Sequence, residues 1–383
     1  MSAKSDDRVL RYAGEPHELD RPSPGSPNSR RQFLKSMGTL GAAAMLPSAA
    51  GLAAPLDAVS GSTGPQRIDV HTHMFSPAYL HIAKRPKTST RPGGSRRASP
   101  LLNHWTPEGA LEEMEKNGTA TAVLSIPVSG YSFAELNREE ARVLTRGNNE
   151  YGAQVAKDYP GRFGFFASLP LLNTEDSLKE IEYSYDTLDA TGIALLTSYG
   201  TRYPGDPTFD PVYAELNRRK AVVFIHPTTP ACCGDLIPGV TPFWVEFAFD
   251  TTRAAVSLLV NHTFEKFPDI KFILTHAGGA LPMEAARIQG IVDPGVIGAQ
   301  PGTVEWYFRR VFYDITASAN PMCLAALTKL VPTSQILFGT DFPYVRIATT
   351  VDGYVKWGFS AEQMREINRE NALRLLTRLK VHA

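Results

Sequence analysis

Ile68-Asp69-Val70-His71-Thr72-His73 is a short apolar run closed by two histidines one residue apart, and its reading decides the fold. Strand side chains alternate between faces with period two, so both imidazoles leave the chain on the same side. Further short apolar runs follow at residues 120–126, 163–168, 192–197, 222–226, 272–276, 311–315 and 336–340. Several are almost purely apolar, Val222-Val223-Phe224-Ile225 among them, as expected of parallel strands buried on both faces. The stretches between them carry helix punctuation. Thr106-Pro107 reads as an N-cap and first helical residue before a helix that stops at Gly118, and Asp210-Pro211 repeats the device. Ser360 with Gln363 makes a capping-box pattern. Eight strand–helix alternations over about 300 residues predict an α/β fold of the (β/α)₈ TIM-barrel type. A doubly wound open sheet is the alternative, but no glycine fingerprint for a dinucleotide or phosphate loop accompanies it.

The polar residues fall where such strands end. His71 and His73 close the first run, His226 the fifth and His276 the sixth, and Asp341 follows the eighth. In a TIM barrel these ends line the active-site mouth. A lone His-x-His reads equally well as two core histidines; His226 and Asp341 at matching ends turn the reading toward a metal. Three imidazoles and a carboxylate suit one divalent ion, Zn²⁺ first, with Mn²⁺ or Fe²⁺ also compatible, and call for no organic cofactor. The fourth run ends in Leu195-Leu196-Thr197 and offers no lysine to bridge a second metal. His276 is therefore read as an acid/base group, and Asp341 as a ligand that can also shuttle a proton. Asp69 reads equally as a residue that orients a ligand or as a simple strand start.

The chain has 383 residues, with 39 basic and 39 acidic side chains. Residues 1–28 are polar and rich in Pro, Ser and Gly, and read as disordered. Arg30-Arg31-Gln32-Phe33-Leu34-Lys35 follows, then a mildly apolar run at 37–46, then small residues to Ala54. That order is a twin-arginine signal peptide, which predicts export to the periplasm through the twin-arginine machinery, or a membrane anchor if it stays uncleaved. The predicted organisation is leader and signal at 1–54, linker at 55–66 and barrel at 67–383. Without the leader the barrel carries 32 basic and 34 acidic residues, which gives no reason to expect nucleic acid as a partner. Three cysteines, two of them adjacent (Cys232 and Cys233), give no disulfide framework and no thiolate zinc site.

The motifs Ile68-Asp69-Val70-His71-Thr72-His73, Ile225-His226-Pro227, Phe264-Glu265-Lys266-Phe267-Pro268 through His276-Ala277-Gly278-Gly279, and Phe338-Gly339-Thr340-Asp341-Phe342-Pro343 occur in one order. On these stretches the chain resembles the amidohydrolase-related family, within the metal-dependent hydrolase superfamily, from about residue 67 to 377. The likeness is to its decarboxylase branch, which includes the aminocarboxymuconate-semialdehyde, resorcylate and 6-methylsalicylate decarboxylases. The resemblance implies a distorted barrel with one divalent ion on His71, His73, His226 and Asp341, and a proton-moving role for His276. It also implies a homodimer across which Arg287 grips a substrate carboxylate, with Arg97, in a basic loop that departs from the family pattern, as a second carboxylate-binding arginine. From position alone, Arg287 reads nearly as well as a surface ion pair and Arg97 as part of a solvated loop. Trp244 and Phe243, after the fifth run, are candidates to stack on a planar substrate, with wall packing the plainer reading.

The expected activity is metal-dependent, non-oxidative decarboxylation of an aromatic or dienoic carboxylic acid resembling 6-methylsalicylate. Hydrolysis of a lactone, ester or amide at the same centre is the alternative within enzymes. A non-catalytic metal- or substrate-binding protein is the alternative outside them.

Overall fold

Runs in which nearly every side chain is apolar have no face to offer water, so they are stable only side by side with cover on both sides. In the computed structural model, which describes residues 66–84, 105–127, 133–233, 236–291 and 304–381, they form eight parallel strands. These are β1 (Arg67–His73), β2 (Thr119–Ser125), β3 (Phe163–Ser168), β4 (Gly192–Leu196), β5 (Val222–His226), β6 (Lys271–Leu274), β7 (Phe312–Asp314) and β8 (Ile336–Leu337). They are hydrogen-bonded in sequence order, with helices in the connections.

The ring closes just beyond β8. Val70 N–H donates to the Phe338 carbonyl at 3.0 Å, and Asp341 N–H and His73 N–H donate to His71 and Phe342 carbonyls, each at 2.7 Å. Asp69 fastens the same seam with its side chain. It accepts from Thr340 N at 3.1 Å, Thr340 Oγ1 at 2.6 Å and His71 N at 3.0 Å. Burial pushes the Asp69 carboxyl up to about 8, and these donors partly offset the cost of its charge. Of the two readings of Asp69, the structure supports the positioning one: it fixes the backbone of His71 on one side of the seam and of Thr340, the neighbour of Asp341, on the other.

Two apolar layers follow from the alternation. Inside the barrel, Ile68, Val70, Val123, Phe166, Phe224, Ile273 and Leu337 pack together, joined by Leu375, Leu376 and Leu379 from the C-terminal segment. Outside it, Leu124, Phe165, Leu195, Val223 and Leu274 pack with helix residues such as Leu144 and Val155. Phe166 stacks on Phe224 at 5.0 Å, and Phe224 meets the His71 ring edge-on at 5.0 Å, so an aromatic pair forms the floor of the mouth.

On β1 the alternation breaks. Ile68 and Val70 face inward, so strict period two would send His71 and His73 out. The register against β2 slips instead, from Asp69↔Ala122 to Thr72↔Leu124. One extra residue is absorbed there, and Val70 and His71 both face the interior. The two histidines share a side, as their spacing predicts, but a bulge decides which side.

The capping box at Ser360 and Gln363 forms as expected. Asp210 does not cap. It is the first residue of the helix Asp210–Arg218, because Asp206 and Pro207 start a turn of 3₁₀ helix ahead of it, and its carboxylate pairs with Lys266 at 2.8 Å. Cys232 and Cys233 pair with each other, against the expectation from their count. A bridge between neighbours closes almost no chain and adds little stability. Among the described residues, no helix is long and apolar enough to cross a membrane. The leader, the twin arginines and Arg97 lie outside the described residues.

Phe224 supports both the interior stack and His71. Phe224→Ala should cost about 3–5 kcal/mol in equilibrium denaturation, and Phe224→Leu clearly less. Equal losses for both would place the stabilisation elsewhere.

Candidate metal centre

His71 and His73 end β1, His226 ends β5, and Asp341 lies just past β8 on the seam that Asp69 fastens. The fold brings all four together: one donor atom of each lies within 4.8 Å of the others, and all four residues are buried. The Nε2 atoms of His71, His73 and His226 and Oδ1 of Asp341 have no hydrogen-bond partner.

The outward nitrogens are all engaged. His71 Nδ1 lies 2.9 Å from Asp314 Oδ2, and His226 Nδ1 lies 2.7 Å from the Pro227 carbonyl. His73 Nδ1 lies 3.1 Å from Ser125 Oγ, whose own proton goes to the Thr72 carbonyl at 3.2 Å. Each arrangement requires the proton on Nδ1, which leaves each Nε2 lone pair aimed at the centre. Burial, then the neighbouring imidazoles, holds the His71 pKa well below its usual value, and burial brings His73 and His226 down to about 4. All three rings are therefore neutral near pH 7. Burial also pushes the Asp341 carboxyl up to about 7. Its Oδ1 lies 2.8 Å from His73 Nε2. A set of buried acceptors with no other donor among them is the chemistry of a cation site, and the residues fit a divalent ion with mixed nitrogen and oxygen ligands.

Asp314 was missed in the sequence, although one carboxylate inside the apolar run Phe312-Tyr313-Asp314-Ile315 is a visible signal. It is fully buried and orients His71 through Oδ2, while Oδ1 accepts from the backbone N–H of His276 and Thr316, each at 3.0 Å. Gly339 makes this possible: a Cβ there would come within 2.9 Å of the Cβ atoms of both His71 and Asp314.

His276 stands beside the four donors, its ring 5.2 Å from His71 and 5.6 Å from His226. It opens a turn in which His276, Ala277, Gly278 and Gly279 all have positive φ. Gly279 has no substitute here, because a Cβ would lie 2.0 Å from the Ala248 carbonyl oxygen. Asp314 and Ser318, whose hydroxyl reaches the His276 carbonyl at 3.2 Å, hold the turn against its strain. Burial and the facing imidazoles keep His276 well below its ordinary pKa, and its Nε2 is unpartnered. It is thus a neutral imidazole with an open position, suited to moving a proton.

The other candidates are not brought to this point within one chain. Arg287 lies on the helix Leu281–Ile291 with its side chain 72% exposed, 3.6 Å from Glu284. Trp244 is 70% exposed, whereas its neighbour Phe243 approaches to 6.3 Å from the His276 ring.

The amidohydrolase family model matches residues 68–378. The decarboxylase macB of Penicillium terrestre is 38% identical, over 76% of this chain and 87% of that protein. The 6-methylsalicylic acid decarboxylase of Penicillium expansum is 33% identical, over 82% of this chain and 97% of its own. A 5-carboxyvanillate decarboxylase of Novosphingobium aromaticivorans, solved with bound manganese, superposes with a TM-score of 0.74 at 21% identity, over 83% of this chain and 98% of that one. That last likeness speaks for the barrel. With the match running across every strand and all four donors inside it, the chain belongs to the amidohydrolase family.

Proposed function

We propose that this protein is a metal-dependent, non-oxidative decarboxylase of an aromatic carboxylic acid of the 6-methylsalicylate kind, with one divalent ion, Zn²⁺ first and Mn²⁺ or Fe²⁺ next. The observation that carries the proposal is the convergence of four unpartnered buried donors beside a fifth residue, His276, that is neutral and open. The names of the relatives support decarboxylation over hydrolysis. His71, His73, His226 and Asp341 would hold the ion, which when bound supplies Lewis acidity and a template for a carboxylate and a neighbouring hydroxyl.

The proton chemistry falls to His276. It takes the proton of the substrate's ring hydroxyl at its open nitrogen and passes it to the carbon that bears the carboxylate. The bond to the carboxylate then breaks, its electron pair restores the ring, CO₂ leaves, and the phenolate recovers a proton from solvent. Burial disfavours the charged imidazolium, so once loaded it is a strong acid toward carbon. Asp314, bonded to the His276 backbone, steadies that charge in passing. The aromatic Phe243 faces the same ring.

We also propose export through the twin-arginine signal at Arg30-Arg31, and a homodimer in which Arg287 meets the substrate of the other subunit. The exposed placement of Arg287, away from the centre of its own chain, agrees with the second idea.

Four expectations follow for the purified protein. Metal analysis should find about one ion per chain, and His226→Ala should lose it. Affinity should be full above pH 7 and weaken about tenfold per unit below it, because loading must displace the single proton that Asp341 holds in the ion-free protein; calorimetry in buffers of different ionisation enthalpy counts that proton. Hydroxybenzoates should release CO₂; turnover of simple lactones with no CO₂ from any acid would reverse the assignment in favour of hydrolysis. His276→Asn should lower kcat by a hundredfold or more, on the order of a lost acid–base group, while keeping the metal. Loss of the ion in that variant would make His276 a ligand instead.

A further inference from the structure

The metal ligands crowd one side of the barrel mouth, on β1, β5 and the segment after β8. The ends of β2, β3 and β4 carry none. A small cavity lies there, bounded by Ser125, Ser168, Leu196, Tyr199, Phe224 and His226 and otherwise by apolar side chains. His226 is shared with the metal centre, so the two spaces meet at that ring. The cavity has room for one small polar group rather than for a ring.

Its polar walls are engaged, with one exception. Ser125 Oγ is held between His73 and the Thr72 carbonyl, and Tyr199 OH accepts the Leu196 N–H at 3.1 Å. His226 Nδ1 is held by the Pro227 carbonyl, and its Nε2 belongs to the metal centre. Ser168 is 2% exposed, and its Oγ has no hydrogen-bond partner. A buried hydroxyl left unbonded costs stability that an alanine would not, so its presence calls for a partner from outside the chain.

Ser168 is also held rigidly. Asn149 grips its backbone on both sides, accepting from Ser168 N at 2.8 Å and donating to Ser168 O at 3.0 Å. Glu180 fixes Asn149 at 2.8 Å, and Arg146 fixes Glu180 at 2.9 Å. The hydroxyl is therefore set in place before any ligand arrives. A water in this niche would find the Ser168 hydroxyl and the proton of Tyr199 OH, where buried waters typically make about three bonds. A substituent already anchored through its ring suffers less from that shortage.

We infer that this niche receives a hydroxyl, or a comparably small polar substituent, on the ring of the acid held at the metal centre, with Ser168 Oγ bonded to it. Ser168 is then a specificity-determining residue. A methyl group in the same place would leave the hydroxyl buried and unpaired, which is the stronger form of discrimination. The inference rests on the decarboxylase reading above.

The test uses the metal-loaded protein and salicylates that carry either a hydroxyl or a methyl at ring position 4, 5 or 6. One such pair is 2,6-dihydroxybenzoate and 6-methylsalicylate. Binding is measured by calorimetry, so turnover is not required. For at least one pair the wild type should prefer the hydroxyl, and Ser168→Ala should shift that ratio about tenfold toward the methyl, the size of one lost hydrogen bond. The thermal midpoint of Ser168→Ala should hold or rise, since the chain makes no bond to the hydroxyl it loses. Unchanged ratios in all three pairs overturn the inference while leaving the decarboxylase reading intact, and so does a clear fall in the midpoint, which would assign the hydroxyl to the fold. A wild type that binds none of the six acids overturns both.

Discussion

Three imidazole lone pairs and a carboxylate oxygen, all withdrawn from water and all facing one another, repel unless a positive charge stands among them. Most of what is specific about this chain exists to hold that arrangement. Asp314, Ser125 and the Pro227 carbonyl bind the outward nitrogens so that the inward ones stay open. Asp69 fastens the backbone on either side of the seam that carries His71 and Asp341. Phe224 lies beneath, its ring edge-on to that of His71 at 5.0 Å.

The features that local chemistry governs could be read from the chain. Apolar runs made the strands, because a doubly buried strand has no polar face to hide. Polar side chains at their ends marked the mouth, because that is where a barrel exposes its interior. Features that depend on distant partners could not. The β1 bulge arises from how β1 meets β2 and from Asp69 reaching Thr340, and no local pattern around His71 contains it. Asp314 was visible as a lone acid in an apolar run, but its partner is 243 residues away in the chain. The succession of positive φ angles at 276–279 was only half announced, by two glycines; of the two non-glycine residues, His276 is held in it by Asp314 and Ser318. Asp210 had the look of a cap and became a helix residue because the turn ahead of it supplied its own start.

The mouth is lopsided. Its ligands and Asp314 occupy the side of β1, β5 and β7–β8, while β2 to β4 present Ser125, Ser168, Ala194 and Leu196. The first side offers polar side chains and the second a mainly apolar wall broken by the Ser168 hydroxyl. The helix Arg138–Asp158 serves that apolar side from behind, through Asn149.

The closing stitch between Asp69 and Thr340 joins residues 271 positions apart, and the interior beneath it is completed only by Leu375, Leu376 and Leu379. Contacts that distant form late, since most of the polymer must already be ordered before they gain anything. A growing chain therefore has every strand in hand well before it has a sealed cylinder. The last donor, Asp341, arrives with the seal itself, so a loaded centre marks a ring that has finished closing.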